Sequence, residues 1–259
     1  MFFLTGVPQG QVPDPETRPG RAVADMFTSI APTYDLLNHL LSLNVDRRWR
    51  RVTTTALAAG PADRVLDLCT GSGDLAFSLM GRSRARVVGA DFSEGMLAVA
   101  KQKAKKTGQL LPLVQADAMA LPFLDGSFDG LMVAFGVRNF ENLDGGLREM
   151  ARVLRTGGRL AILEFSSPDQ SFFGTLYRFY FSHILPRIGR LVSGAAGPYS
   201  YLPATVDGFP HPSALAGMLS SAGFQVLDQR PLTGGIATLH LCVKPSGSPV
   251  AAPSGRMAP

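Results

Sequence analysis

Two short apolar runs, Val65-Leu66-Asp67-Leu68 and Val87-Val88-Gly89-Ala90-Asp91, stand about one βαβ unit apart, and a glycine turn, Gly71-Ser72-Gly73, follows the first. Each run carries an acid at or near its carboxyl end. That pairing constrains the chain to a parallel sheet with a pocket at the ends of its strands, where glycines let a ligand approach the backbone and a carboxylate receives a ribose. The ligand read from this pattern is a nucleoside.

The order of elements agrees. Helical patterns over 22–30, 35–43 and 46–58 form a prelude. Strand 64–68, helix 74–79, strand 87–91 and a helix over 94–106 capped by Ser93 follow. Strands 111–115, 128–134 and 159–164 continue the series, with a helix over 143–154 and a stop at Gly157-Gly158. Five strands alternating with helices make a mainly parallel sheet. After Glu164 comes an aromatic helical stretch over 171–188 and a Gly/Ser-rich connector, so residues 166–210 read as a lid insertion. Helix 212–222 and strands 224–227 and 236–243 close the chain, and the hairpin requires an antiparallel strand. The sheet therefore has seven strands.

A chain of 259 residues with 46% hydrophobic and 17% charged residues buries a full core. The domain spans 21–244. Proline-rich residues 1–20 and the Pro/Ser/Gly/Ala-rich 245–259 read as disordered tails. The net charge of +5 suits an anionic partner, but basic runs occur only at Arg47 to Arg51 and Lys101 to Lys106. Cys69 and Cys242 form no disulfide framework, and no metal-ligand spacing occurs. With no signal peptide and no span long enough for a bilayer, the expected location is the cytoplasm.

Gly71-Ser72-Gly73-Asp74-Leu75-Ala76 formally satisfies a dinucleotide fingerprint. Asp74 would set a carboxylate beside a pyrophosphate at the helix N-terminus, where repulsion disfavours it. A sulfonium nucleoside such as S-adenosylmethionine carries positive charge and no phosphate, so Asp67 and Asp74 favour it. Asp91 accepts from the ribose hydroxyls, Asp117 and the Ala118 amide address adenine, and Phe92 packs on the ring. Against these stand plainer readings: Asp91 as a helix cap, Asp117 as a turn residue, Cys69 as a small buried side chain rather than a nucleophile.

The stretches Asp67-Leu68-Cys69-Thr70-Gly71-Ser72-Gly73-Asp74, Phe135-Gly136-Val137-Arg138-Asn139 and Ala31-Pro32-Thr33-Tyr34-Asp35-Leu36-Leu37-Asn38, together with Gly234 to His240, resemble the quinone-biosynthesis C-methyltransferases. The resemblance runs from about Val23 to Lys244. It implies a class I methyltransferase fold: a Rossmann-like, seven-stranded, mostly parallel sheet with N-terminal helices and a helical lid. It places Thr70, Asp91 and Asp117-Ala118 at the methyl donor, with Gly71 and Gly73 in the turn. Ala134 stands where relatives often have serine, which leaves only a backbone contact there.

The implied reaction is transfer of a methyl group from S-adenosylmethionine to a ring carbon of a prenylated quinol. Its demand is a phenolate that pushes density onto the adjacent carbon. Arg138 is expected to stabilise the oxyanion, Asn139 to orient the hydroxyl, and Tyr34 to join them; the plain alternatives are a loop-holding salt bridge for Arg138 and core packing for Tyr34. A naphthoquinol, demethylmenaquinol, is the favoured acceptor, with polyprenyl methoxybenzoquinol as the alternative. Leu36, Leu37, Leu40 and Leu41 with the aromatic segment 172–181 offer an apolar route for the tail, or plain core. Arg47 to Arg51 offer a peripheral contact with anionic headgroups. A homodimer is implied by the resemblance alone. Two rivals are a nucleic-acid methyltransferase, for which the base-flipping Asn/Asp-Pro-Pro-aromatic motif is missing, and a non-catalytic scaffold, which the joint presence of Asp67, Asp91, Asp117, Arg138 and Asn139 opposes.

Overall fold

A computed structural model describes residues 23–31, 35, 42, 44–166, 205–206 and 208–246. Its strands are β1 (Arg64–Leu68), β2 (Arg86–Asp91), β3 (Leu113–Gln115), β4 (Phe128–Ala134), β5 (Leu154–Phe165), β6 (Gln225–Leu232) and β7 (Ala237–Val243). They form one sheet in the order β3-β2-β1-β4-β5-β7-β6. The first five pair in parallel, and β7 runs antiparallel to both β5 and β6. β1 sits between β2 and β4, so the strand order reverses at β1 and opens a crevice at its carboxyl end.

Helix α1 covers residues 23–31, followed by α2 (Val45–Leu57), α3 (Asp74–Ser83), α4 (Glu94–Thr107), α5 (Leu143–Val153) and α6 (Pro212–Ser221). The alternation of the strands decides which helices cover which face. Leu66, Leu68, Leu131, Val133, Leu160 and Ile162 pack with Leu147 and Met150 of α5 and Leu215 and Leu219 of α6. Val65, Met132 and Ala161 point the other way, onto Leu57 of α2 and Leu75 and Leu79 of α3. Each fully buried leucine stabilises the fold by roughly 1.5–3 kcal/mol. Near the carboxyl ends of the central strands, Trp49, Leu163 and Ile236 pack with Phe135 and Phe165. The indole N–H of Trp49 donates to Thr233 Oγ1 at 2.9 Å.

Ser93 caps α4, its hydroxyl accepting from the Met96 amide, and Asn142 does the same for α5 through the Gly145 amide. Lys244 closes the domain: its Nζ donates to the Ala151 and Leu154 carbonyls at 2.7 and 2.8 Å, at the α5–β5 junction.

Several boundaries differ from those read in the sequence. β3 starts at Leu113 because Pro112 has no N–H to give, although its carbonyl accepts from the Gly89 amide at 2.9 Å. β5 begins at Leu154 and passes through Gly157-Gly158, absorbing the glycines in an irregular register against β4. β6 extends to Leu232 through Pro231, which an edge strand tolerates. α3 runs four residues past Leu79, with Gly81 on its exposed side. The helix expected over 35–43 lies largely outside the described residues, as do nearly all of the 166–210 insertion and both terminal tails. Among the described residues no helix is long and apolar enough to cross a membrane.

Candidate functional site

The crevice at the reversal point is a cavity of about 370 Å³. Gly71, Asp91, Phe92, Asp117, Ala118, Ala134 and Asn139 all line it. Asp67, Thr70, Gly73 and Arg138 are set behind its wall. Tyr34 lies outside the described residues.

Asp91 ends β2 half-buried at the cavity, and burial raises its carboxyl above the usual carboxylate range. Its Oδ2 accepts from the Gly71 amide at 2.8 Å and its Oδ1 from the Ser93 amide at 2.9 Å. The Phe92 amide adds a third backbone contact, and the carboxylate still has acceptor capacity for a ligand hydroxyl. The carboxylate is thereby held between the glycine turn and the α4 cap. Across the cavity, Asp117 Oδ1 accepts from the Met119 amide at 2.9 Å. The loop that carries Asp117 and Ala118 is stapled from beneath by Arg152, which donates to the Leu121 and Phe123 carbonyls and pairs with Glu149 and Asp125.

Alternation along β1 puts Asp67 on the same face as Val65, under the N-terminus of α3. It accepts from Thr70 Oγ1 at 2.6 Å and from the Ala76 amide at 3.1 Å. Its other oxygen, Oδ1, is buried without a hydrogen-bond partner. Burial pushes the carboxyl up to about 7, against the pull of those two hydrogen bonds. Gly71 and Gly73 have φ of 55° and 85°, where residues with a Cβ are disfavoured.

Asp74 turns toward Lys103 Nζ, 2.6 Å away, with Arg50 at 3.4 Å, so its charge is offset. The obstacle to a phosphate is instead the commitment of the loop amides: Gly71 to Asp91, Gly73 to the Thr70 carbonyl and Ala76 to Asp67. A cradle of free N–H groups is missing at these three positions.

Cys69 and Phe135 end the neighbouring strands β1 and β4 at φ of 54° and 58°. Left-handed backbone at non-glycine residues costs on the order of 1–3 kcal/mol each and gathers where a site over-determines it. Both line the cavity. Cys69 and Cys242 are free thiols. Burial raises Cys69 well above the ordinary thiol value, with Asp91 adding to the effect, and pushes Cys242 up to about 12. A thiol so shifted is a poor nucleophile.

Arg138 makes the loop-holding salt bridge that the sequence allows as its plainer reading. It follows Phe135 in the 3₁₀ turn Val137–Asn139, and its Nη1 donates to Glu164 Oε1 at 2.8 Å and to the Phe135 carbonyl. The side chains of Arg138 and Glu164 are 5% and 2% exposed. The guanidinium therefore faces the inner framework and not the cavity, where an oxyanion would form. Sequence reasoning missed Glu164 as a partner because it stands 26 residues away, although its place at a strand end was a signal. It also missed Val23, Ala24 and Phe27 of α1, and Phe140 and Glu141, all of which line the cavity. The i, i+4 spacing of Val23 and Phe27 could have shown that face.

A model of the ubiE/COQ5 methyltransferase family matches residues 15–244. The chain belongs to that family. It is an S-adenosylmethionine-dependent methyltransferase. The methyltransferase is 49% identical over 221 residues to a protein named demethylmenaquinone methyltransferase from Thermus thermophilus, covering 85% of this chain and 100% of that one. A protein of the same name from Deinococcus radiodurans is 50% identical over 219 residues, covering 84% and 90%. One from Syntrophotalea carbinolica, named ubiquinone/menaquinone biosynthesis C-methyltransferase UbiE, is 45% identical over 224 residues, covering 86% and 94%. Among solved structures, the [4+2]-cyclase SpnF superposes with a TM-score of 0.65 at 17% identity, covering 94% of this chain and all of that one. The YcgJ protein of Bacillus subtilis superposes at 0.58 and 19%, covering 78% and 100%. These two share the fold, and the cyclase illustrates that the fold does not fix the chemistry.

The site suits the methyl donor on its own terms. Asp91 offers acceptor capacity at the β2 end, the turn amides leave no cradle for phosphate at the three positions above, and Asp67 keeps a buried oxygen unsatisfied. Together these favour a cationic nucleoside over an anionic one.

Proposed function

We propose that this methyltransferase converts demethylmenaquinol to menaquinol by methylating a ring carbon. The observation that carries the reading is the near-half identity, along 85% of the chain, with the Thermus thermophilus protein of that name. The cavity agrees with it: Phe27, Met119 and Phe140 give it apolar walls, and Asn139 is a polar group among them.

Asp91, Gly71, Asp117, Ala118, Phe92 and the backbone at Ala134 are the residues assigned to the methyl donor, which supplies a sulfonium methyl group when bound. Thr70 and Gly73 act through the turn, and Asp67 supports it from beneath through Thr70 and Ala76. Asn139 is assigned to the quinol hydroxyl, its side-chain amide donating to the oxygen as negative charge develops. Loss of the hydroxyl proton to water raises electron density at the adjacent carbon, which would take the methyl group as its bond to sulfur breaks and S-adenosylhomocysteine is left; the ring proton then passes to water and the aromatic ring is restored. Arg138 works from behind, holding Phe135 and Asn139 in place through Glu164. Tyr34 remains a proposed member of the acceptor side.

Methoxybenzoquinol is the second reading, favoured by the name of the Syntrophotalea relative, which joins both quinones. Peripheral contact with the membrane is proposed through Arg47, Arg48 and Arg51, which are exposed along α2. Arg50, by contrast, is taken up by Asp46 and Asp74. A homodimer is the proposed assembly.

The test is to incubate purified protein with methyl-labelled S-adenosylmethionine and, under reducing conditions, short-tailed demethylmenaquinol, methoxybenzoquinol or bulk RNA. Label on the naphthoquinol is the expected result. Label on the benzoquinol alone moves the assignment to that ring, and label on RNA or on neither quinol overturns it.

A further inference from the structure

We propose that Lys103 is a positioning residue for the methyl donor, which fastens the glycine turn and the N-terminal roof of the cavity into one arrangement. Lys103 belongs to none of the motifs that mark the site. It lies on the α4 face shared by Met96 and Ala100, at i, i+4 and i+7, and Met96 lines the cavity.

Its ammonium reaches three oxygens of two separate chain segments. Asp74 Oδ1 and Ser72 Oγ, at 2.6 and 3.1 Å, belong to the glycine turn. Asp35 Oδ2, at 2.5 Å, belongs to the chain beyond α1. Asp35 Oδ1 in turn accepts from Ser72 Oγ at 2.5 Å, which closes the network on itself. The three charged side chains are 21–28% exposed, so solvent competes only in part.

The roof has a second anchor. Thr28 Oγ1 lies 2.9 Å from Ser93 Oγ, and α1 approaches α4 so closely that a Cβ on Gly95 would stand 2.6 Å from Thr28 Cγ2 and 3.0 Å from Thr28 Cα. Phe27, beside Thr28, faces the cavity together with Val23 and Ala24. Gly71 of the turn holds Asp91, and Phe27 covers the same space from above. A group that ties Ser72 to Asp35 therefore sets the distance between floor and roof, without touching the ligand.

Calorimetric titration with S-adenosylhomocysteine tests this and does not depend on which acceptor the enzyme uses. Lys103→Met is expected to weaken binding about tenfold and Asp35→Asn by a similar factor, with the double variant no worse than either, because both break one unit. Lys103→Arg is expected to restore most of the affinity. In turnover, KM for the donor rises in Lys103→Met, while kcat stays within about threefold. Gly95→Ala, which presses on the roof without changing a charge, is expected to weaken binding too. Binding by Lys103→Met within twofold of the unaltered protein, or single effects that multiply in the double variant, overturns the proposal. If Lys103→Met does not fold, Asp35→Asn decides: unchanged affinity overturns the proposal, and loss that added salt mimics in the unaltered protein supports it.

Discussion

The guanidinium of Arg138 stands 2.8 Å from the carboxylate of Glu164, and both are sealed from solvent. This pair fixes the backbone of Phe135 in its left-handed turn and presents Asn139 to the cavity. Removing one partner of a buried pair strands the other charge, at about 3–5 kcal/mol. Arg138→Met and Glu164→Gln are both expected to lower urea stability by that order and to abolish most turnover. Replacing both residues together is expected to recover stability but not activity, because the loop loses its register. Recovery of both would give Arg138 no positioning role.

Asp91 is the cavity carboxylate assigned to the ribose. Two charge-assisted hydrogen bonds are together worth about 3 kcal/mol, or about 100-fold in affinity. Asp91→Asn should weaken S-adenosylhomocysteine by that factor in a calorimeter and also lower stability by about 1–3 kcal/mol, because the new amide nitrogen faces one of the two backbone N–H groups that the carboxylate accepts from. An unchanged affinity removes Asp91 from the donor site.

Asp67 links the site to pH. Its folded pKa, pushed up to about 7 by burial, lies above the unfolded value. Its contribution to stability is therefore complete below about 3.9 and is lost as the pH rises through about 7. Compared with Asp67→Asn, the ligand-free protein should lose urea stability between about pH 4 and 7. A cationic donor favours the carboxylate, so its binding should release a proton near neutral pH, seen as a buffer-dependent heat. A stability difference that ignores pH counts against this assignment.

His240 acts in the opposite direction. It is buried on β7 with Nε2 3.0 Å from the Pro212 carbonyl, and burial lowers its pKa from the ordinary value. The neutral ring is preferred in the fold, so its contribution is present above about 6.5 and lost as the pH falls through the lower folded value. Denaturation from pH 7 to 5 should show a loss that His240→Gln reduces.

Much of this was legible along the chain, and what was not has a common cause. The apolar runs of β1, β2 and β4 end where the alternation ends, so Asp91 and the glycine turn were placed by local pattern alone. Strand ends at β3, β5 and β6 depended on Pro112, Gly157 and Pro231, whose effect is set by which neighbour needs their hydrogen bond. The ion-pair partners of Arg138 and Asp74, Glu164 and Lys103, lie 26 and 29 residues away, beyond the reach of local pattern. Charge in a sequence tells what a residue carries, and only the fold tells which way it points.

Cys242 is buried and Cys69 is half-buried on the cavity wall, and burial holds both thiols in the protonated form. A thiol-reactive dye would therefore meet an almost silent background, and a single Ser29→Cys on the exposed side of α1 would take nearly all the label. Fluorescence from that one position would let the roof be watched in solution as the donor enters and its product leaves.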